Sequence, residues 1–333
     1  MPSPSSKLFR LPAILVIVLA FAILTGAASA STATAPPTDP PSAAEFRQAT
    51  REFMRSPAAK PVPRQLRGGG VGTGGDGGGG KGALLSRKRM LTLYGAPQLS
   101  ATILGKLGPT RAAKKVVKQA KPYSKLSDRK IIPGFDLIAV VANSTPGSDH
   151  KYRTRQPKKL IRSYLNAVRS VNGRLVLDIQ PGRAKIMDEV DALEKWIAQP
   201  DVDISIDPEW NVGPHGVPGR TVGKIKAKDL NKISRRIQGI IDENDLPPKA
   251  LVVHQFHSGS VRNREDVKQR KDVDVTLSFD GIGSPAAKKA GYKTLTGDAV
   301  YSGFSIFYSL DTKIMSPKSV LGLRPDVDFL LFQ

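Results

Sequence analysis

Eight short apolar, β-branched runs punctuate the chain, each separated from the next by a helix-like or loop segment. They read MLTLYG (90–95), DLIAVVAN (136–143), LVLDIQ (175–180), DISIDPE (203–209), ALVVHQF (250–256), DVTLSFDG (274–281), GFSIFYS (303–309) and DFLLFQ (328–333). Between them, residues 158–171 place Leu160, Ile161, Leu165 and Val168 at helical spacing. Residues 185–198 do so with Ile186, Val190, Leu193 and Ile197, and residues 229–244 with Leu230, Ile233, Ile237, Ile240 and Ile241. In 284–291, Ser284 and Pro285 open a short helix and Gly291 closes it. Strand alternating with helix calls for parallel pairing through crossovers. Eight such units over residues 89–333 predict a (β/α)8 barrel of TIM type, in which DFLLFQ closes against MLTLYG. An open doubly wound sheet is disfavoured, because YGAPQ after the first strand lacks the spacing of a dinucleotide fingerprint.

The first 88 residues do not share this texture. Lys7 and Arg10 precede the apolar run LPAILVIVLAFAILTGA, and small residues ending AASA come before Ser31. That order predicts a secretory signal over 1–30, cleaved after Ala30; a retained anchor is the alternative. Residues 31–88 are rich in proline and glycine, the composition of a disordered, flexible tether, with room for a helical turn or two at 43–55. The chain contains no cysteine, which excludes an acyl-anchored lipoprotein and a disulfide framework. Its formal charge is +22. In a secreted protein that field meets anionic wall polymers, phospholipid heads or simply solvent rather than nucleic acid.

A barrel concentrates chemistry at the C-terminal ends of its strands. Those ends carry Tyr94, Asn143, Asp178, Gln180, Asp207, Glu209, His254, Gln255, Asp280, Tyr308 and Gln333, so polar residues finish strands whose bodies are apolar. The period of two puts Ser205, Asp207 and Glu209 on one face, Asp178 with Gln180, and Thr276 and Ser278 with Asp280. Neighbouring carboxylates repel when both are ionised, so one keeps its proton towards neutral pH. Glycoside hydrolysis needs a carboxylic acid at the leaving oxygen and a second carboxylate beside it. Glu209 and Asp207 are the expected catalytic pair, with Asp178 and Asp280 as acidic neighbours. Tyr94, Trp210 and Tyr308 offer flat faces for sugar rings. Asn143, Gln180, His254, Gln255 and Gln333 complete the expected substrate contacts. Trp210 reads equally well as a core residue beneath a loop.

Residues 204–209, ISIDPE, resemble the fourth-strand signature of family 18 chitinases, and also the Asp-x-Glu strand of family 25 lysozymes. The resemblance implies that Glu209 is the proton donor and that Asp207 orients the substrate's acetamido group. The chitinase pattern carries another acid where Ser205 stands, and an Asp-Gly pair where Val202 and Asp203 stand. Other chemistries lack their motifs. The four histidines are His150, His215, His254 and His257, and HQFH is not HExxH, so no metal or cofactor is expected. A metal site from Asp178, Asp207, His254 and Asp280, as in metal-dependent deacetylases, has no ligand motif behind it. There is no Gly-x-Ser-x-Gly elbow. The expected partner is a polysaccharide or cell-wall glycan, met by a monomer. The basic stretches 110–125 and 151–159 would grip anionic polymer, and a non-catalytic glycan-binding barrel is the alternative function. The N-terminus of protein recovered outside the cell should be Ser31; an intact Met1 on membrane-bound protein would contradict the leader assignment.

Overall fold

The structure, a computed structural model, describes residues 83–296 and 301–333. The expected signal (1–30) and the tether as far as residue 82 lie outside the described residues. Eight strands succeed one another in order: β1 (Lys88–Gly95), β2 (Lys130–Ala142), β3 (Arg174–Ile179), β4 (Val202–Ile206), β5 (Lys249–Gln255), β6 (Val273–Phe279), β7 (Tyr301–Ile306) and β8 (Phe329–Phe332). Each pairs in parallel with the next. β1 also pairs with β8, Met90 opposite Phe329 and Leu93 opposite Phe332, so the sheet closes into an eight-stranded parallel barrel. All eight runs read from the sequence are strands of this ring.

Among the described residues, six helices of five or more residues accompany the strands: α1 (Pro109–Ser124), α2 (Lys158–Arg169), α3 (Ile186–Ala192), α4 (Ala227–Glu243), α5 (Pro285–Thr296) and α6 (Pro317–Leu321). The stretch expected to be helical over 185–198 breaks at Leu193 into α3 and a further turn, Glu194–Ile197. α5 runs past Gly291 to Thr296, because Gly291 and Tyr292 are buried in its packed face. α1, which in the sequence reads only as a basic stretch, buries Ala112, Ala113, Val116, Ala120 and Tyr123 against the sheet and turns its lysines outward.

Alternation along each strand divides the core in two. One face of each strand packs under the helices, where Leu93, Phe135, Leu137, Leu177, Ile204, Leu251 and Phe304 meet Val116, Leu165, Val190, Ile237 and Tyr292. The other face fills the barrel, with Met90, Ile132, Ile138, Val176, Ala250, Val252, Phe329 and Leu331. β2 begins six residues before its apolar run. Pro133 and Gly134 read as a turn, yet both lie in the ladder opposite Leu91 and Thr92. Gly134 is there because the barrel leaves no room. A Cβ would stand 2.8 Å from the Arg174 carbonyl oxygen and 3.0 Å from Thr92 Cγ2.

The N-terminal end of the barrel is closed by paired polar groups. The turn Leu84–Arg87, within the stretch expected to be tether, places Leu84 and Leu85 in the interior cluster. Its Leu85 N–H donates to Asp274 Oδ2 at 2.6 Å. Arg174 grips Asp203 through two bonds, Nε to Oδ2 at 2.6 Å and Nη2 to Oδ1 at 2.8 Å, and the Ala250 N–H adds a third to Asp203 at 2.9 Å. Removing one partner of such a pair strands a buried charge. Asp203→Ala should therefore lower stability by about 3–5 kcal/mol in urea unfolding. A loss under about 1 kcal/mol, the range of an exposed pair, would show that the fork does not hold the floor.

Candidate active site

At the opposite end, the inner face changes from apolar to acidic within one turn of the pleat. Asp136 on β2, Asp178 on β3, Ser205 on β4, His254 on β5, Ser278 on β6 and Ser305 on β7 all point inward and are buried. Beyond the strand ends lie Gln180, Asp207 and Asp280, and then Glu209 in the turn Pro208–Trp210. Depth is graded. Asp136 and Asp178 are wholly buried, Asp207 is 8 % exposed, and Glu209 reaches solvent further.

His254 sits among the acids. Its Nδ1 contacts Asp280 Oδ2 at 2.6 Å, and its Nε2 stands 3.5 Å from Asp136 Oδ2. Asp280 is steadied by Ser278 Oγ at 3.3 Å and by the Ser305 hydroxyl. Burial alone would drive the imidazole to its neutral form. The charge of Asp280 and the contacts with Asp136 outweigh it and lift the His254 pKa well above its ordinary value.

A second chain of bonds runs from the floor to the mouth. Ser205 Oγ lies 2.8 Å from Asp136 Oδ1 and 3.1 Å from Asp178 Oδ1. One hydroxyl proton cannot serve both acceptors, so both contacts are hydrogen bonds only when one acid keeps its proton and donates to Ser205. Asp178 fits that role, since burial, then the charge of Asp207, pushes its carboxyl well above the usual range. The Tyr94 hydroxyl donates to Asp178 Oδ2 at 3.2 Å and accepts from Gln180 Nε2 at 3.2 Å. Gln180 Oε1 takes the Ala142 N–H at 3.2 Å, which fixes the amide's orientation and aims Nε2 at Tyr94 and at Asp207 Oδ2, 3.4 Å away. Burial likewise raises the Tyr94 hydroxyl well above 10, with Asp178 and Asp207 adding to it, so it stays a donor.

At the mouth, burial raises Asp207 to about 7, opposed by His254 and aided by Asp280. Glu209 is raised well above the usual range by burial first and then by Asp207 and Asp280. The arrangement holds protons on carboxyl groups near neutral pH and presents one of them at the opening.

The expected site residues divide. Tyr94, Asp178, Gln180, Asp207, Glu209, His254 and Asp280 are brought together. Trp210 is buried beside them, outside both apolar clusters; its indole N–H helps lower Asp207's pKa yet closes no hydrogen bond. Others go elsewhere. Gln255 faces the helices, donating to the Leu295 carbonyl at 2.8 Å, because the period that turns His254 inward turns its neighbour outward. Tyr308 donates to Gln119 on α1 at 2.6 Å and packs on Phe332 of the outer core. Asn143 donates to Thr154 at 2.7 Å, closing the hairpin between β2 and the short antiparallel strand Arg153–Arg155. Gln333 extends the ladder, its N–H to Ile306 and its carbonyl to Tyr308. Sequence reasoning misses Asp136, because it reads as the first residue of a strand, whereas it is the seventh of β2. A lone aspartate ahead of LIAVVA is the available signal.

No protein-family model matches this chain, and no curated protein matches it, so the chemistry rests on the geometry. A carboxyl with a raised pKa in the folded state binds a proton that the unfolded chain has released. For Asp207 this holds between the ordinary 3.8 and about 7, so its contribution makes the fold less stable as pH rises across that window and is constant above it. Asp207→Asn should therefore unfold at higher urea than the parent at pH 8, with the gain vanishing near pH 4. Equal midpoints at both pH values would mean that Asp207 is not destabilised by its surroundings.

Proposed function

We propose that this barrel is a glycoside-hydrolase-like enzyme acting on a polysaccharide or cell-wall glycan outside the cell. Glu209 is the general acid and Asp207 is the carboxylate that holds the substrate at the scissile bond. The observation that carries the reading is the position and state of Glu209. It stands half-buried in the turn just past the C-terminal end of β4, its pKa raised by burial and by Asp207 and Asp280. A proton donor to a glycosidic oxygen needs those attributes: access to substrate and a carboxyl protonated near neutral pH. The resemblance of residues 204–209 to the chitinase strand supports the same assignment. Ser205 departs from that pattern, but it contacts two acids, Asp178 on the adjacent β3 and Asp136 on β2 beyond it. The secretory reading of residues 1–30 supports an extracellular polymer as the substrate.

A second reading is favoured by the outer surface. α1 exposes Lys114, Lys115, Lys118 and Lys121, and its neighbour α2 exposes Lys158 and Arg162. That field suits an anionic wall polymer held without turnover.

Mass spectrometry of chitin oligosaccharides and peptidoglycan fragments after incubation separates the two. The parent should generate new reducing ends, and Glu209→Gln should lower the rate by about 10²–10⁴-fold while melting no lower than the parent. Asp207→Asn should lose less, since an amide still orients a substrate. The acid works only when protonated, so the parent's rate should fall as pH rises through the Glu209 pKa. Full activity in Glu209→Gln would remove it from the chemistry; binding with no cleavage by the parent would favour the second reading.

A further inference from the structure

We propose that Asp136, Asp178 and His254 bind a single divalent ion of zinc type at the pocket floor. The three side chains are buried, and one ligand atom from each lies within 4.8 Å of the others. Acidic clustering alone does not make a site. Here two of the ligand atoms, Asp136 Oδ2 and His254 Nε2, are buried without a hydrogen-bond partner among the described residues. Their residues are 0 % and 3 % exposed.

The spacing of these two atoms bears directly on an ion. A charge-assisted hydrogen bond between them would close to about 2.7–2.9 Å. They stand 3.5 Å apart instead. Ligands at about 2.1 Å around a tetrahedral ion are separated by about 3.4 Å, so the observed gap matches an edge of such a site. Asp178 supplies the third ligand; its Oδ2 accepts from the Tyr94 hydroxyl at 3.2 Å, a neutral bond that an ion can replace.

The atoms behind the ligands are arranged as an ion requires. A metal-bound imidazole usually hands its other ring N–H to a carboxylate, which fixes the tautomer. His254 has that partner: its Nδ1 lies 2.6 Å from Asp280 Oδ2, and its Nε2, on the other side of the ring, faces Asp136 and gives up its proton when the ion binds. Ser205 Oγ lies against the far oxygens of both carboxyl groups, Asp136 Oδ1 and Asp178 Oδ1, and the ion takes the place of the proton that Asp178 otherwise shares with it. Two carboxylates and one imidazole are oxygen and nitrogen donors that a zinc-type ion accepts, and three protein ligands leave a fourth position, as catalytic rather than structural sites do. The sequence holds no motif for it, since its members come from β2, β3 and β5 and one of them, Asp136, reads as a strand start.

The ion shares the pocket with the proposed glycan chemistry but does not depend on it. Ion uptake is read on the resting protein, and cleavage is read on Glu209→Gln. Full-length protein stripped of metal and dialysed against Zn²⁺ should retain one ion per chain by elemental analysis. Asp136→Asn and His254→Asn should each abolish that uptake, while Glu209→Gln keeps it. Asp280→Asn should weaken it about 10–100-fold, by loosening the imidazole. Circular dichroism establishes that each variant folds. Should His254→Asn not fold, Co²⁺ loaded into the parent replaces it as the readout. Visible absorption of a low-coordinate site, erased by Zn²⁺, supports the assignment. A parent that takes up no more ion than Asp136→Asn, or shows no such band with Co²⁺, overturns it.

Discussion

Everything in this molecule depends on the hydrogen bonds that β1 makes on both of its edges, to β2 and to β8. A sheet with free edges has two faces and needs layers on both. A closed one has an outside, covered by helices, and an inside covered by nothing but itself. Each inward residue therefore meets other inward residues in a space from which water is excluded. The apolar middle layers solve this by packing. The two polar ends have to solve it by pairing, and they do so differently.

At the N-terminal end acids find hydrogen-bond partners, although burial still raises Asp274 to about 7 and Asp328 to about 6. Arg174 and Asp203 satisfy one another, and backbone N–H groups add further bonds to Asp203 and Asp274. At the C-terminal end the sum does not balance. Five carboxyl groups (Asp136, Asp178, Asp207, Glu209 and Asp280) surround one imidazole. Raised pKa values for Asp178, Asp207 and Glu209 are the physical response: the chain retains protons where it cannot supply counter-charges. β4 shows both solutions on a single face. Asp203 at its start is neutralised by a neighbour, and Asp207 just past its end is left to crowd. The first reads as stability and the second as chemistry.

The fold is largely legible in the sequence because a parallel barrel strand is apolar on both faces through its middle, and eight such runs stand out whatever lies between them. The cases that are not legible share a cause. Pro133 and Gly134 obey a local rule, turn formation, which the tertiary ladder overrides, and so β2 seen in sequence begins at Asp136. The site is legible where period two and strand end agree, as for Asp178 with Gln180 and for Asp207. It is not where they conflict. Gln255 and Tyr308 are polar and near strand ends, yet they lie on the outer side, where a helix takes their hydrogen bonds. Polarity at a strand end says that a residue is near the rim. Only parity with a known inward residue says that it faces the pocket.

One irregularity links the geometry of the ring to the orientation of the acids. The pairing of β2 with β3 slips by one residue between Ile138 and Val140. Such a bulge bends its strand and re-aims the residues beyond it. After the slip, Gln180 N–H still finds Val140 O, at 2.9 Å, but β3 has ended and Ala142 N–H has no strand partner there. The Gln180 side chain folds back to take it. That single backbone donor decides which end of the amide faces inward, and the amide nitrogen then bridges Tyr94 and Asp207. A regular ladder would have left both the N–H and the amide to other partners. The contact that Asp207 receives from Gln180 thus traces to a one-residue slip two strands away, a feature that belongs to the closed barrel and has no counterpart in the pattern of β4 itself.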